Sequence, residues 1–258
     1  MMCNKPGTAA VGLLLLLGLL SPVFAYASEP VTLQASDGVA VYGTLTRAGT
    51  RHDKITLLFH QARGNRHEYD AVVPELTKLG VDALAIDQRS GGNLFDGHNQ
   101  TVAALGKSAD YLEAMPDLEA ALTWAQAQHD RTIVAVGSSY SSALVIVLAA
   151  RHPQEINAVA SFSPGEYFDD KNMIKDAAAK ITVPFYITTD PKEEDNVIEV
   201  LRNAHGDNIT RYQPASGVHG ASTLVCSRDP DGCKANLRSF TDFLKSVDAP
   251  APAKPSAG

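Results

Sequence analysis

Residues 133–150 read IVAVGSSYSSALVIVLAA. Ile133–Val136 is a short run apolar at every position, and a second apolar run begins at Ala143. A strand apolar on both faces belongs to a parallel sheet covered by helices on each side. Between strand and helix lies Gly137-Ser138-Ser139-Tyr140-Ser141. A turn this abrupt requires small residues two before and two after its apex. Gly137 and Ser141 meet that need, Ser141 standing where Gly is commoner, and the register puts Ser139 at the apex as a nucleophile. The competing reading is a serine-rich helix start that caps its own amides; the buried strand in front of it favours the first.

Working outward, the same rhythm recurs. Residues 55–59, 83–86, 156–162 and 183–187 are further short apolar runs. Helical patterns separate them: Tyr69, Val72, Val73, Leu76 and Leu79, stopped by Gly80; Leu118 to Ala125; Ser141 to Ala150, ended by His152-Pro153; Val197 to Leu201; and Phe240 to Leu244. Pro74 fits the first of these if it sits in the first turn. In front, residues 31–45 form two strand-like runs around Asp37-Gly38, a hairpin signal. The pattern predicts an α/β fold: three layers, a mostly parallel sheet, and an N-terminal antiparallel hairpin.

The ends of the chain read differently. Lys5 precedes the ten apolar residues Val11–Leu20, and Ala25-Tyr26-Ala27 follows in the small-x-small pattern. Together these predict a signal peptide over 1–27, because the run is well short of the ~20 residues that span a bilayer. The folded domain is expected over 28–247, and residues 248–258 (APAPAKPSAG from 249) are too poor in core-forming residues to fold. Removing the leader takes the net charge from −7 to −8. An acidic chain with no Lys/Arg run excludes nucleic acid and anionic membrane surfaces as partners, and stable membrane insertion is not expected. Export also accounts for Cys226 and Cys233, which bracket SRDPDG and are expected to form a disulfide in a periplasmic or secreted protein. A closed zinc site needs four ligands, which this pair does not supply. No metal or cofactor is expected.

A serine nucleophile needs a base. Gly217-Val218-His219-Gly220 follows a possible last strand at 210–214 and precedes the C-terminal helix, which makes His219 the candidate. His152 and His205 stand at helix ends, ordinary places for a cation.

With these motifs in this order, residues 31–247 resemble the α/β-hydrolase superfamily, and its dienelactone-hydrolase-like members in particular. Leu58-Phe59-His60-Gln61 is similar to the strand end that builds the family's oxyanion hole, and Asp87-Gln88-Arg89-Ser90-Gly91-Gly92 to its Asp-x-Arg-Gly-x-Gly loop. The dienelactone hydrolases themselves carry cysteine where this chain has Ser139. The resemblance implies a Ser–His–acid triad. The family commonly places its acid nine positions after a strand-leading proline, and counting from Pro184 reaches Glu193. Asp190 is the competitor, and Glu194 and Asp195 suit a solvated helix start. The oxyanion donors implied are the backbone N–H of Tyr140 and that of Ala62, with Gln61 the alternative to Ala62. Arg63-Gly64-Asn65 suggests a mobile loop. About twenty residues separate the runs ending at Phe162 and starting at Val183, too few for a large cap.

The function expected is a serine hydrolase that cleaves a carboxylic ester through an acyl-enzyme, its substrate a small molecule or acyl group. A peptidase or amidase with the same triad is one alternative. A non-catalytic binding protein that keeps the fold is the other, and an incomplete triad would favour it.

Overall fold

The computed structural model describes Met1 and residues 28–49, 53–128 and 132–247. Except for Met1, the expected leader lies outside the described residues, as does the Pro/Ala tail at 248–258. No described helix is long and apolar enough to cross a membrane.

β1 (Ser28–Gln34) and β2 (Ala40–Thr46) form the expected hairpin, and Gly38 takes the left-handed φ of 88° that its turn requires. β2 pairs antiparallel with β4 (Asp82–Ile86). All remaining pairs are parallel: β3 (Lys54–Phe59), β5 (Thr132–Ser138), β6 (Ala158–Phe162), β7 (Phe185–Thr188) and β8 (Ile209–Arg211). The sheet runs β1-β2-β4-β3-β5-β6-β7-β8.

Alternation along the central strands divides the core in two. Leu57, Phe59, Ile133 and Ala135 pack on one side with the helices α3 (Met115–Gln126), α4 (Tyr140–Arg151), α5 (Met173–Ala178) and α6 (Glu194–Val200). Leu58, Val134, Val136 and Phe162 face the other side, covered by α1 (Val73–Lys78) and α7 (Cys233–Ser246). α2 (Gln100–Leu105) lies beside β2. α4 is buried from Tyr140 to Ala149. Its branched Val145, Ile146 and Val147 each cost a few tenths of a kcal/mol in helix propensity. Burying each returns about 1.5–3 kcal/mol, so packing decides the helix.

Three local expectations change. The 69–79 pattern is not one helix: a 3-10 turn at Arg66–Tyr69 precedes α1, and Pro74 occupies the first helical turn. Tyr69 is buried, and its hydroxyl donates to Phe59 O at 2.9 Å. β6 and β7 each begin two residues later than their apolar runs. At β7 the cause is Pro184, which has no N–H to give and only accepts, from Val159 N–H at 2.9 Å. The stretch at 93–105 and the segment between β6 and β7 carry α2 and α5, two short helices with weak sequence patterns. α5 begins where Glu166 accepts from the amides of Ile174 (3.0 Å) and Lys175 (2.9 Å). Among the described residues no large cap domain interrupts the fold.

Candidate active site

The loops after β3, β4, β5, β6 and β7, with the loop that follows β8, gather at the carboxyl ends of the parallel strands, where ligands of open α/β sheets bind. At their centre Ser139 sits between β5 and α4 with φ 57° and ψ −125°. A non-glycine residue held there costs on the order of 1–3 kcal/mol, and such strain persists only where its surroundings impose it. The surroundings are visible. A Cβ on Gly137 would lie 2.3 Å from Ser141 O, so no larger residue fits before the apex. Ser141 stands where Gly is commoner because its hydroxyl braces two neighbours: it donates to His60 O at 2.5 Å and accepts from Gln88 Nε2 at 2.6 Å.

His219 reaches the elbow from the loop before a 3-10 turn at Gly220–Leu224. Its Nε2 lies 2.8 Å from Ser139 Oγ. On the other edge of the ring, Nδ1 lies 2.8 and 3.0 Å from the two oxygens of Glu193. With a carboxylate there, Nδ1 carries the proton and Nε2 accepts from the serine hydroxyl. Thr189 Oγ1 donates to Glu193 Oε2 at 3.0 Å. None of the other three acids of that loop bonds His219. Asp190 accepts from Lys192 N–H at 3.0 Å, Glu194 pairs with Arg211, and Asp195 is exposed at the start of α6.

The loop after β3 faces the elbow. His60 is fully buried; its Nδ1 contacts Gln61 O at 2.8 Å and its Nε2 accepts from Gln88 N–H at 2.9 Å, the pattern of a neutral ring. Burial pushes its pKa down, in keeping with that state. Gln61 N–H is spent on Glu68 Oε2 at 2.7 Å. The amides of Ala62 and Tyr140 have no acceptor among the described residues. The loop is also tied down rather than loose: Asn65 Nδ2 donates to Gly92 O (3.1 Å) and Gly97 O (3.2 Å), and Gly92 N–H to Gly64 O (2.7 Å). Polar composition suggested mobility; a fully buried asparagine supplies the anchor.

A family model described as "Serine aminopeptidase, S33" matches residues 50–225. The chain belongs to this hydrolase family. No curated protein matches its sequence. Among solved structures this S33-type hydrolase is similar to the esterase Pf2001 of Pyrococcus furiosus, at 17% identity and a TM-score of 0.65 over 86% of this chain and 93% of that one. It is similar to a dienelactone hydrolase of Anabaena variabilis, at 16% identity and a TM-score of 0.67 over 86% and 98%. Est1E of Butyrivibrio proteoclasticus, solved with ferulic acid, superposes at 15% identity and a TM-score of 0.66 over 84% and 98%. These likenesses establish the fold: a dienelactone-hydrolase-like α/β-hydrolase.

Other residues of the hydrolase's cleft carry no motif. Ser163, after β6, has φ 57°; its hydroxyl accepts from Gly220 N–H at 2.9 Å, and its carbonyl accepts from Tyr167 O–H at 2.7 Å. Burial pushes the Tyr167 phenol up to about 12, while the adjacent Ser139 hydroxyl pulls the other way. Tyr111 stacks on Tyr140 at 4.5 Å. Beside Tyr111 and Tyr167 opens a groove of about 690 Å³, also lined by Leu112, Phe168 and the acids Asp110, Glu113 and Asp169.

The Asp87–Arg89 motif builds structure instead. Asp87 accepts from Arg66 Nη1 (2.7 Å) and from the amides of Arg66 and Gln100 (both 2.8 Å). Arg89 bridges buried Asp117 (Nη2–Oδ1 2.7 Å) to Asp37 in the hairpin turn, locking the hairpin to α3. The hydrogen bond from Arg89 holds the Asp37 carboxyl below the usual range, whereas burial keeps that of Asp117 above it. Among the described residues no cluster could hold a metal ion.

Proposed function

We propose that this hydrolase cleaves carboxylic esters through an acyl-enzyme on Ser139. The observation that carries the reading is His219, hydrogen-bonded to Ser139 Oγ at 2.8 Å on one side and to Glu193 at 2.8 Å on the other. In this reading His219 Nε2 removes the serine proton as Oγ attacks the ester carbonyl carbon. The carbonyl oxygen becomes anionic and accepts from the amides of Ala62 and Tyr140, donors each worth about 3–4 kcal/mol in the barrier. His219 then gives its proton to the departing alcohol, and a water activated by the same nitrogen releases the acid. Glu193 holds the ring in the required tautomer and stabilises its cation. The complete relay argues against a binding protein that merely keeps the fold. The groove at Tyr111 and Tyr167 has no Lys or Arg among its lining residues, which suits uncharged acyl groups over carboxylate-bearing ones.

Fluorophosphonate labelling with peptide mapping tests the reading, alongside p-nitrophenyl acetate turnover. A single modified peptide containing Ser139 is expected; an unlabelled, folded and ester-inactive protein overturns it. The family's description as a serine aminopeptidase favours a second reading, amide cleavage by the same relay. A higher kcat/KM on an aminoacyl p-nitroanilide than on p-nitrophenyl acetate would put that reading first.

Export completes the proposal: cleavage after Ala27, with the mature enzyme periplasmic or secreted. Its support is the leader pattern together with the Cys226–Cys233 bond, a feature of oxidising compartments. An intact mass starting at Met1 in the exported fraction would overturn it.

A further inference from the structure

Glu68 is 1% exposed, and no lysine or arginine of the described chain pairs with its carboxylate; Arg228 Nη1 reaches only its main-chain oxygen, at 3.1 Å. Its two carboxylate oxygens instead take neutral donors from two different places, the loop after β3 and the end of β5. Oε2 accepts from Gln61 N–H at 2.7 Å, and Oε1 from the Ser138 hydroxyl at 2.7 Å. Ser138 Oγ in turn accepts from Ala221 N–H at 2.8 Å, two residues beyond His219. We propose that Glu68 is a positioning residue of the reaction, which fixes the Gln61–Ala62 loop and the His219 loop to the nucleophile turn through one carboxylate. The inference rests on the hydrolase reading of Ser139.

The physical argument is one of cost and alternatives. A buried carboxyl with no ion-pair partner is expensive, even with the Arg228 charge nearby to offset part of the cost, and an apolar residue would fill the same space more cheaply. What the apolar residue could not do is take up the Gln61 N–H. That bond uses the Gln61 amide and leaves the next one, Ala62 N–H, without an acceptor among the described residues. Nor could it reach the His219 loop through Ser138. The junction is tight there: a Cβ on Gly220, which has φ 72°, would lie 2.4 Å from Ser138 Oγ and 3.8 Å from Glu68 Oε1. Gly220 is thus the residue that lets Ala221 N–H come down onto Ser138. Glu68 touches no substrate atom in this scheme. It acts through the groups it holds, where displacements of about 1 Å are worth as much as 10²-fold in rate.

The test is a double-mutant cycle of Glu68→Gln and Ser138→Ala, assayed with p-nitrophenyl acetate, with Ser139→Ala as control. Gln fills the space of Glu68 but cannot accept from both donors; Ala removes only the hydroxyl that relays to Ala221. Each single variant is expected to lose 10- to 100-fold in kcat with KM within threefold of wild type. The double variant should be no slower than the slower single, as for residues of one network. A kcat within twofold of wild type in either folded single variant overturns the proposal. So does a loss carried by KM, or a double variant whose losses multiply. Should Glu68→Gln fail to fold, the kcat–KM split of Ser138→Ala decides alone. Retained turnover in Ser139→Ala would instead remove the hydrolase reading itself. An inactive Ser139→Ala beside unaffected Glu68 and Ser138 variants removes only the role of Glu68.

Discussion

The two halves of the cleft are built on different principles. The half around Ser139, the proposed nucleophile, is buried and sterically determined: Ser139 is 7% exposed, its backbone is strained, and Gly137 and Ser141 leave no room for another arrangement. The half around His219 and Glu193, the proposed base and acid, is open. The side chains of Glu193 and His219 are 29% and 39% exposed, on loops whose course is set by hydrogen bonds to Thr189, Ser163 and Ser138. A nucleophile must be held where it cannot relax, whereas an imidazole must turn slightly between Oγ and the leaving group. Rigid packing serves the first and adjustable hydrogen bonds the second.

That contrast predicts the sizes of effects. Ser139→Ala should lower ester kcat by roughly 10⁴–10⁶-fold and leave the fold intact, as when other triads lose their nucleophile. Retention of a tenth of the activity would show that the buried half is not the reacting one. Glu193→Gln should cost less, roughly 10²–10⁴-fold, because the open half keeps its imidazole and loses only tautomer control and charge stabilisation. Asp190→Asn should stay within threefold of wild type, since Asp190 serves its own turn through Lys192 N–H. If Asp190→Asn collapses while Glu193→Gln is unaffected, the open half is organised around the wrong acid.

The same contrast explains what the sequence discloses. The nucleophile turn is legible because sterics restrict residue types locally: a buried strand, a small residue on each side of the apex, an apolar helix. Five strands and the hairpin are legible for a related reason, since burial on both faces leaves continuous apolar runs. Glu193 is reachable only by a family-derived count from Pro184, because among four neighbouring acids nothing local distinguishes the one that meets His219. Glu68, Ser163 and Tyr167 leave no local trace. Glu68 stands in the polar stretch Arg66–Asp70 and reads as a solvated acid; its partners lie 7 and 70 residues away. The only hint is that Tyr69 beside it belongs to the core pattern. Asp37 shows the reverse: the Asp-Gly turn is plain, but its ion pair with Arg89, 52 residues on, is not.

Titration of Glu68 separates buried from open in a second way. Burial pushes its carboxyl from an ordinary 4.5 up to about 7, against the opposing hydrogen bonds of Ser138 and Gln61. Between those values the folded protein keeps a proton that the unfolded chain releases. Stability therefore falls as pH rises from 4.5 to 7 and levels off above, by an amount on the order of 3 kcal/mol for a shift of this size. Urea unfolding of wild type and Glu68→Gln across pH 4.5 to 8 reads this term as the difference between the two curves. Parallel curves would mean that Glu68 titrates as it does in the unfolded chain, and that the buried half tolerates its charge without cost.

The smallest effect belongs to the segment behind the open half. Cys226 and Cys233 are joined there, with Cα atoms 5.0 Å apart, between the Gly220–Leu224 turn and α7. The bond closes a short loop, for which chain entropy supplies about 2–2.5 kcal/mol. It is not the only tie. Inside the loop, buried Asp229 accepts from Gly232 N–H (3.0 Å), Thr223 Oγ1 (3.0 Å) and Asn236 Nδ2 (3.0 Å), and Asn236 Nδ2 also reaches Ser216 O at 3.1 Å, just ahead of His219. These bonds remain when the sulfurs part. Replacing both cysteines by serine should therefore lower Tm by about 4–10 °C, the shift that this free energy gives in a domain of this size. The kcat/KM at 25 °C should stay within twofold of wild type. Asp229→Asn, which leaves the disulfide in place, should do the opposite: it weakens the network that carries the His219 loop and lowers kcat more than the cysteine pair does. If instead loss of the disulfide alone abolishes turnover at 25 °C in a protein that is still folded, the covalent bond, and not the Asp229 network, holds His219 in reach of Ser139.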